Sequence, residues 1–214
     1  LKTPALLFAD DTLLILKTHR GLGILLDRFN EFCVLNGLAL NPDKTKYMTI
    51  DAGIKKKFRP LKVGSNLIEK VCEFDYLGIR LESRNSWTSQ ITKSVVSIKH
   101  RAATILSFAN NKTLRPTSPV LDIWKAQAVS VACYGSELWG HSLCDKIQLA
   151  ENDFLRSFLN VPSSTPLVPL RYDLNLKPVT QVLSLRPLLY WARIWLTSDL
   201  HIYRSCLEEI ISLG

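Results

Sequence analysis

Several things are scarce or missing in these 214 residues. No apolar run reaches the roughly 18 residues that a membrane-spanning helix needs, and no secretory leader pattern is present. The five cysteines (Cys33, Cys72, Cys133, Cys144, Cys206) are scattered, odd in number and without C-x-x-C spacing. That excludes a zinc ribbon or a disulfide framework and leaves reduced thiols in apolar surroundings. His19, His100, His141 and His201 are equally dispersed, so no histidine-built metal centre is expected. No segment repeats at a fixed period, and no low-complexity tract occurs. Acidic residues are thin in one stretch: residues 44–101 hold thirteen Lys/Arg against five Asp/Glu, the whole of the net charge of +8. A basic stretch of this kind suits a polyanionic partner, and it equally suits a solvated basic surface.

What is present is ordinary globular material, 47% hydrophobic and 21% charged, enough for one large domain or two small ones. One octet stands apart. Phe8-Ala9-Asp10-Asp11-Thr12-Leu13-Leu14-Ile15 sets two adjacent carboxylates between the apolar runs 5–9 and 13–16. Each run is long enough for a buried strand and Asp-Asp is turn chemistry, so a hairpin with both acids at its tip is expected. Neighbouring anions repel, and a hard divalent cation with oxygen ligands relieves that repulsion. Taken alone, the octet is also satisfied by an Asp-Asp pair that merely turns a hairpin.

The apolar spacing of Leu22, Leu25, Leu26, Phe29, Phe32 and Cys33 predicts a helix over 20–36, capped by Gly37. A strand at 38–40, a turn at Asn41-Pro42-Asp43 and a strand at 46–50 follow, then an exposed Lys55-Lys56-Lys57 loop. Strands at 61–63 and 67–71 flank Gly64-Ser65-Asn66, and Phe74–Leu81 reads as a strand pair or tight turn. The first 80 or so residues therefore read as a helix packed on an antiparallel sheet. From Trp87 the period becomes helical. Trp87, Ile91, Val95, Ile98, Ala102 and Ile105 mark one long helix. After breaks at Arg115-Pro116 and Ser118-Pro119, Val120, Trp124, Gln127 and Val131 begin a second, and Ile147, Ala150, Phe154, Leu155 and Phe158 give a third. Residues 161–166 form a linker. Val182, Leu185, Leu189, Ala192 and Leu196 predict a fourth helix, and 199–212 a short fifth. Trp139, Trp191 and Trp195 are expected in the core.

Five short motifs in order carry a resemblance. They are Phe8-Ala9-Asp10-Asp11; the run from Gly37-Leu38-Ala39-Leu40-Asn41 to Lys44-Thr45-Lys46; Phe74-Asp75-Tyr76-Leu77-Gly78; Tyr134-Gly135-Ser136-Glu137-Leu138-Trp139-Gly140; and Phe154-Leu155-Arg156 with the 161–166 segment. Together they resemble the reverse transcriptase of non-LTR (LINE-type) retrotransposons along nearly the whole chain. Group II intron maturases share the Asp-Asp box, but the Tyr134–Trp139 stretch favours the LINE-type family. The resemblance implies an α+β fold: a partial palm over 1–82, an all-helical thumb over 83–160 and a post-thumb helical segment over 161–214. It implies RNA-directed DNA polymerisation by two-metal nucleotidyl transfer, with Mg²⁺ (or Mn²⁺ in its place) as cofactor. An RNA template, a DNA primer and deoxynucleotides would be the partners, in a nuclear or cytoplasmic ribonucleoprotein.

Residue by residue, the resemblance makes Asp10 the metal ligand, with Asp11 supporting it. Lys44 is matched to the lysine that neutralises leaving pyrophosphate, with Lys46 a weaker parallel. Phe74, Tyr76, Leu77 and Gly78 match the primer grip, and Lys93, Lys99 and Arg101 lie on the thumb helix, where a basic side would track nucleic acid. Ser136 stands next to Glu137, but no histidine with a plausible partner lies near them in sequence, and a hydrolase triad is rejected. The first residue is not Met and lies just before the hairpin, so a fragment is expected, without the upstream metal-binding Asp and the fingers. Such a piece is expected to be inactive by itself. Two alternatives stand beside an enzyme fragment: a non-catalytic RNA- or DNA-binding remnant, and an inert structural remnant.

Overall fold

The computed structural model describes residues 5–50, 58–110, 117–141 and 145–196. The expected Lys55–Lys57 loop, the Arg115-Pro116 break and the helix at 199–212 lie outside the described residues. The chain is mixed α+β and divides after Ser86 into two compact units.

The first unit opens with β1 (Ala5–Phe8) and β2 (Asp11–Leu14), an antiparallel hairpin in which Phe8 pairs with Asp11. The expected hairpin forms, but β1 is not a buried strand: Leu7 is 71% and Phe8 62% exposed. Helix α1 (His19–Leu35) follows, its first turn capped by the Thr18 hydroxyl, which accepts from Gly21 N at 3.1 Å. It ends where expected: Leu38 N donates to Cys33 O and Gly37 N to Val34 O, the paired bonds of a Schellman stop. Of the six residues expected on its apolar face, only Leu26 and Cys33 are buried, and Phe32 is exposed. Residues 38–40 are not a strand; Leu40 packs inward while Leu38 is exposed.

The remaining strands are short: β3 (Lys46–Tyr47), β4 (Lys62–Val63), β5 (Asn66–Leu67), β6 (Glu69–Lys70), β7 (Glu73–Tyr76) and β8 (Ile79–Glu82). They do not form one antiparallel sheet. Four separate two-stranded sheets are present among the described residues, β1–β2, β4–β5 and β7–β8 antiparallel and β3–β6 parallel. The expected strand at 67–71 is split, because Asn66–Leu67 pairs with β4 and Glu69–Lys70 with β3, and the one at 46–50 is shortened to Lys46–Tyr47. One small core of Leu26, Leu61, Val63 and Ile68, with Leu14, Leu22, Leu40 and Tyr47 against it, holds the unit together. The His19 ring stacks on Phe58 at 4.8 Å, and Lys70 lies over the same Phe58 ring.

The second unit is helical. Helix α2 (Thr88–Asn110) buries Ile91, Ile98, Ala102 and Ile105, as the sequence spacing predicts. Next come α3 (Thr117–Ile123), a π-helical segment (Trp124–Val129) and α4 (Ser130–Ala132). Pro119 does not break α3, since it sits in the first turn, where its missing N–H costs nothing. The wider π turn moves the buried face: Val120, Trp124, Ala128 and Ala132 point inward, and the expected Gln127 and Val131 do not.

Helix α5 (Ser136–Trp139) is a single turn, and α6 (Asp145–Leu159) buries all five expected positions. Phe154 stacks on Trp124 with centroids 3.7 Å apart. The 161–166 linker leads into a helix that the sequence pattern did not reveal, α7 (Leu167–Asp173). Helix α8 (Val179–Leu196) exists as expected with a different buried face: Val179, Leu183, Pro187 and Ile194. Trp191 and Trp195 are exposed rather than in the core. A single core runs from Ile91 to Leu183, across the expected 160/161 boundary.

Buried polar groups bolt this unit together. Glu151 pairs with Arg171 at 2.8 Å, and the same carboxylate oxygen accepts from Gln148 Nε2 and from the backbone N of Val179. Gln148 Oε1 accepts from Thr180 N and Oγ1. Two side chains of α6 thus satisfy the otherwise unpaired N–H groups that open α8.

Candidate metal and nucleic-acid site

The Asp-Asp hairpin has a two-residue turn, Ala9-Asp10, and Asp11 is the first residue of β2. Both carboxylates are on exposed residues. Leu14, at the far end of β2, packs against the small core and anchors the hairpin, while its tip stands in solvent. Ala9 is left-handed, with φ +49°, a conformation that costs an L-residue about 1–2 kcal/mol.

The Gly37–Lys46 motif is organised by Asn41. Its Oδ1 accepts from the backbone N of Asp43 and of Lys44, at 2.9 and 3.2 Å, and its carbonyl accepts from Thr45 N and Oγ1. This side-chain turn fixes where Lys44 leaves the chain. Among the described residues no carboxylate pairs with the Lys44 ammonium, whereas Lys46 is engaged by Glu69 at 2.6 Å.

The Phe74–Gly78 motif is the β7–β8 hairpin. Its turn, Leu77-Gly78, has φ of +47° and +83°, the two left-handed residues that a tight two-residue hairpin requires. Gly78 adopts this freely; Leu77 does so against its own Cβ. Among the described residues, five non-glycines have positive φ. Three are Asn, which tolerates it, and the other two are Ala9 and Leu77, at the tips of the two motif-bearing hairpins.

Across β7–β8, Arg80 grips Asp75 with two hydrogen bonds, Nε to Oδ1 at 3.1 Å and Nη2 to Oδ2 at 2.8 Å. Those bonds hold the Arg80 guanidinium above its ordinary range; slight desolvation opposes them, and the charges of Asp75 and Glu73 add to them. A raised cation pKa means that Arg80 keeps its charge throughout the pH range below the ordinary arginine value and loses it only above; the pair lasts as long as Asp75 is also ionised.

Lys44, Lys46, Val71, Glu73, Phe74, Asp75 and Arg80 line one open cavity of about 390 Å³. Two motifs thirty positions apart in sequence, those of Lys44 and Phe74, thus meet at one surface. Glu73, Asp75 and Arg80 were not singled out from sequence. The signal was there, because Asp75 and Arg80 are directly opposite across a two-residue turn. Asp10 and Asp11 do not line this cavity.

The second unit places its candidates on α2, where Lys99 is exposed while Lys93 and Arg101 are half-buried. The Tyr134–Gly140 motif is architectural. Gly135 is left-handed, Trp139 is fully buried with Nε1 donating to Tyr134 O, and Ser136 is fully buried, out of reach of any substrate. A Cβ on Gly140 would lie 2.4 Å from Leu183 O. That carbonyl lacks its helical donor, because Pro187 has no N–H, so a glycine here lets two backbones close together. Arg186 completes the joint, donating to Cys133 O at 2.7 Å beside Glu137.

Whether the hairpin suits Mg²⁺ turns on its donors. Carboxylate oxygens are the right kind, but Mg²⁺ wants near-octahedral oxygen coordination. Among the described residues no group of three His, Cys, Asp or Glu comes together to hold a metal ion. The donors fit in type, and the two carboxylates by themselves fall short of that coordination. Cys33 and Cys133 are buried and in no disulfide, whereas Cys72 is exposed, contrary to the expectation of apolar surroundings. Compared with known proteins, the chain matches no family model, no curated protein and no solved structure.

Proposed function

We propose that this chain is part of an RNA-directed DNA polymerase of the non-LTR retrotransposon type, contributing the metal-binding hairpin of the palm, the primer grip and the thumb. The observation that carries the reading is the exposed, backbone-strained turn that lifts Asp10 and Asp11 clear of the small core. Strain at a turn persists when surrounding structure over-determines it, and such turns cluster at functional sites. The order of the sequence motifs supports the same reading, as does the cavity that unites Lys44 with Phe74.

In this reading Asp10 is the principal ligand and Asp11 lends it negative charge. Mg²⁺ held there would neutralise charge and act as a Lewis acid in phosphoryl transfer. The Lys44 ammonium, fixed by the Asn41 turn, offsets charge on departing pyrophosphate. The Leu77-Gly78 turn brings backbone groups close to primer phosphates, with Phe74 and Tyr76 holding the hairpin. RNA template, DNA primer and deoxynucleotides are the ligands, and Lys93, Lys99 and Arg101 add cationic charge along the duplex.

A second reading is favoured by the incomplete ligand set: these residues bind template–primer without catalysing its extension. Primer extension with this chain separates the two, and no Mg²⁺-dependent synthesis is expected from it alone. Anisotropy of a labelled RNA–DNA template–primer tests the shared claim. Binding should weaken as salt rises, tighten with Mg²⁺ over EDTA, and lose that Mg²⁺ increment in Asp10→Asn. Failure to bind, or a Mg²⁺ increment that survives Asp10→Asn, would refute the proposal.

A further inference from the structure

The β7–β8 hairpin carries two local costs. Leu77 is left-handed at φ +47°, which an L side chain opposes, and Glu73 stands directly across from Glu82, where like charges repel. The phase of the ladder sharpens the second cost. Ser83 N donates to Cys72 O at 2.8 Å, so Cys72 and Ser83 face each other at a hydrogen-bonded position of the antiparallel pair. By alternation, Glu73–Glu82 and Asp75–Arg80 are the non-hydrogen-bonded positions, where side chains approach most closely.

Both costs are relieved in a neighbouring register. With Tyr76-Leu77-Gly78 as a three-residue loop, Gly78 alone is left-handed, the arrangement that three-residue hairpins favour. Asp75 then closes against Ile79, and Glu73 faces Leu81. The slip sets Phe74 across from Arg80 and breaks the Phe74–Leu81 and Tyr76–Ile79 pairs, so the half-buried face favours the observed register. On the exposed face, the contact that the slip breaks is the fork of Asp75 and Arg80, bonded at 3.1 and 2.8 Å. A bidentate guanidinium–carboxylate pair is the geometry in which an exposed ion pair counts, and a one-residue slip misaligns both of its bonds at once.

We propose that Asp75 and Arg80 are positioning residues for the Leu77-Gly78 turn: their fork holds it in the strained two-residue register against the relaxed three-residue one. The effect on binding rests on the primer-grip reading above; the register itself does not. In the observed register the backbone of Leu77 and Gly78 forms the tip, while Phe74, Asp75 and Arg80 line one cavity with Lys44. After the slip β8 sits one residue further along β7, and both the tip and that lining are rebuilt.

The test is NMR of the full chain, which reads the register from Hα–Hα contacts, together with anisotropy of a labelled RNA–DNA template–primer. In the parent chain the Hα of Asp75 should lie against that of Arg80. In Asp75→Ala a contact between the Hα atoms of Phe74 and Arg80 should appear. Template–primer affinity should then fall at least about fivefold, in proportion to the molecules left in the observed register. Charge alone predicts the reverse, since removing an acid strengthens attraction to a polyanion. Adding Leu77→Gly, which removes the strain, should restore the parent contact and bring affinity back to the parent value or above. Asp75→Arg with Arg80→Asp should keep the parent contact, and it decides the matter if Asp75→Ala fails to fold. An Asp75→Ala chain that keeps the parent register would overturn the proposal. So would a slipped register that Leu77→Gly leaves unrestored, or a charge-exchanged hairpin that slips. The register is read without nucleic acid, so a parent chain that binds no template–primer would refute the primer-grip reading while the Hα contacts still decide the role of the fork.

Discussion

The two units of this chain hold themselves together by different means. From Trp87 onward the described residues form one continuous core of twenty buried side chains, from Ile91 to Leu183, stitched by a buried ion pair and a capped helix. Among its described residues, the unit ending at Ser86 rests on a core cluster of Leu26, Leu61, Val63 and Ile68, with Cys33 buried outside that cluster, and on two-stranded sheets of the kind that are marginal alone. Nearly all the chemistry suggested by the sequence (the paired acids, Lys44 and the Leu77-Gly78 turn) lies on the thinly packed unit. The well-packed unit carries motif residues whose work is structural. Residues that must face a ligand cannot also fill a core, and the contrast follows from that division.

Substitutions sharpen the contrast in proportion to what they remove. The largest loss is expected from Glu151→Ala, which strands Arg171 in a buried position and uncaps α8; about 3–5 kcal/mol should disappear from the second unit in denaturant unfolding. Gly140→Ala comes next, because the new Cβ meets backbone rather than a yielding side chain, and about 1–3 kcal/mol is expected from the same measurement. Leu77→Gly should act in the opposite sense on the first unit. Relief of the left-handed strain should slow exchange of the β7–β8 amides by up to about 1 kcal/mol in opening free energy, reduced by the added freedom of the unfolded chain. The smallest change is expected from Lys46→Ala, whose pair with an exposed Glu69 contributes about 0–1 kcal/mol. If Lys46→Ala cost as much as Glu151→Ala, the division between the units would be wrong.

Much of this architecture is legible in the residues, for reasons that differ from place to place. Helix α6 could be read position by position because its apolar stripe is narrow and its opposite face polar. The hairpins at Asp10 and Leu77-Gly78 could be read because turn chemistry is local. Helix α8 could be found but not oriented: with apolar residues on both sides, periodicity chooses no face, and the stripe that the spacing suggests is the one facing out. The π-helical turn defeated the reading at Gln127 and Val131, since a period of 3.6 does not hold across it. Helix α7 was hidden by prolines that read as linker, although Pro169 sits harmlessly in its first turn. The cavity joining Lys44 to the β7–β8 hairpin was invisible for a different reason: Asp75 and Arg80 face each other locally, but Lys44 reaches them only through the tertiary fold.

Paramagnetic broadening of backbone amide resonances by substoichiometric Mn²⁺ tests the central claim most directly, since it reports where a divalent ion sits without requiring activity. Selective loss of the Phe8–Thr12 signals is expected, with α6 untouched and the effect abolished by Asp10→Asn. Broadening that ignores this hairpin, or that persists undiminished in Asp10→Asn, would contradict the assignment of Asp10 and Asp11 as metal ligands.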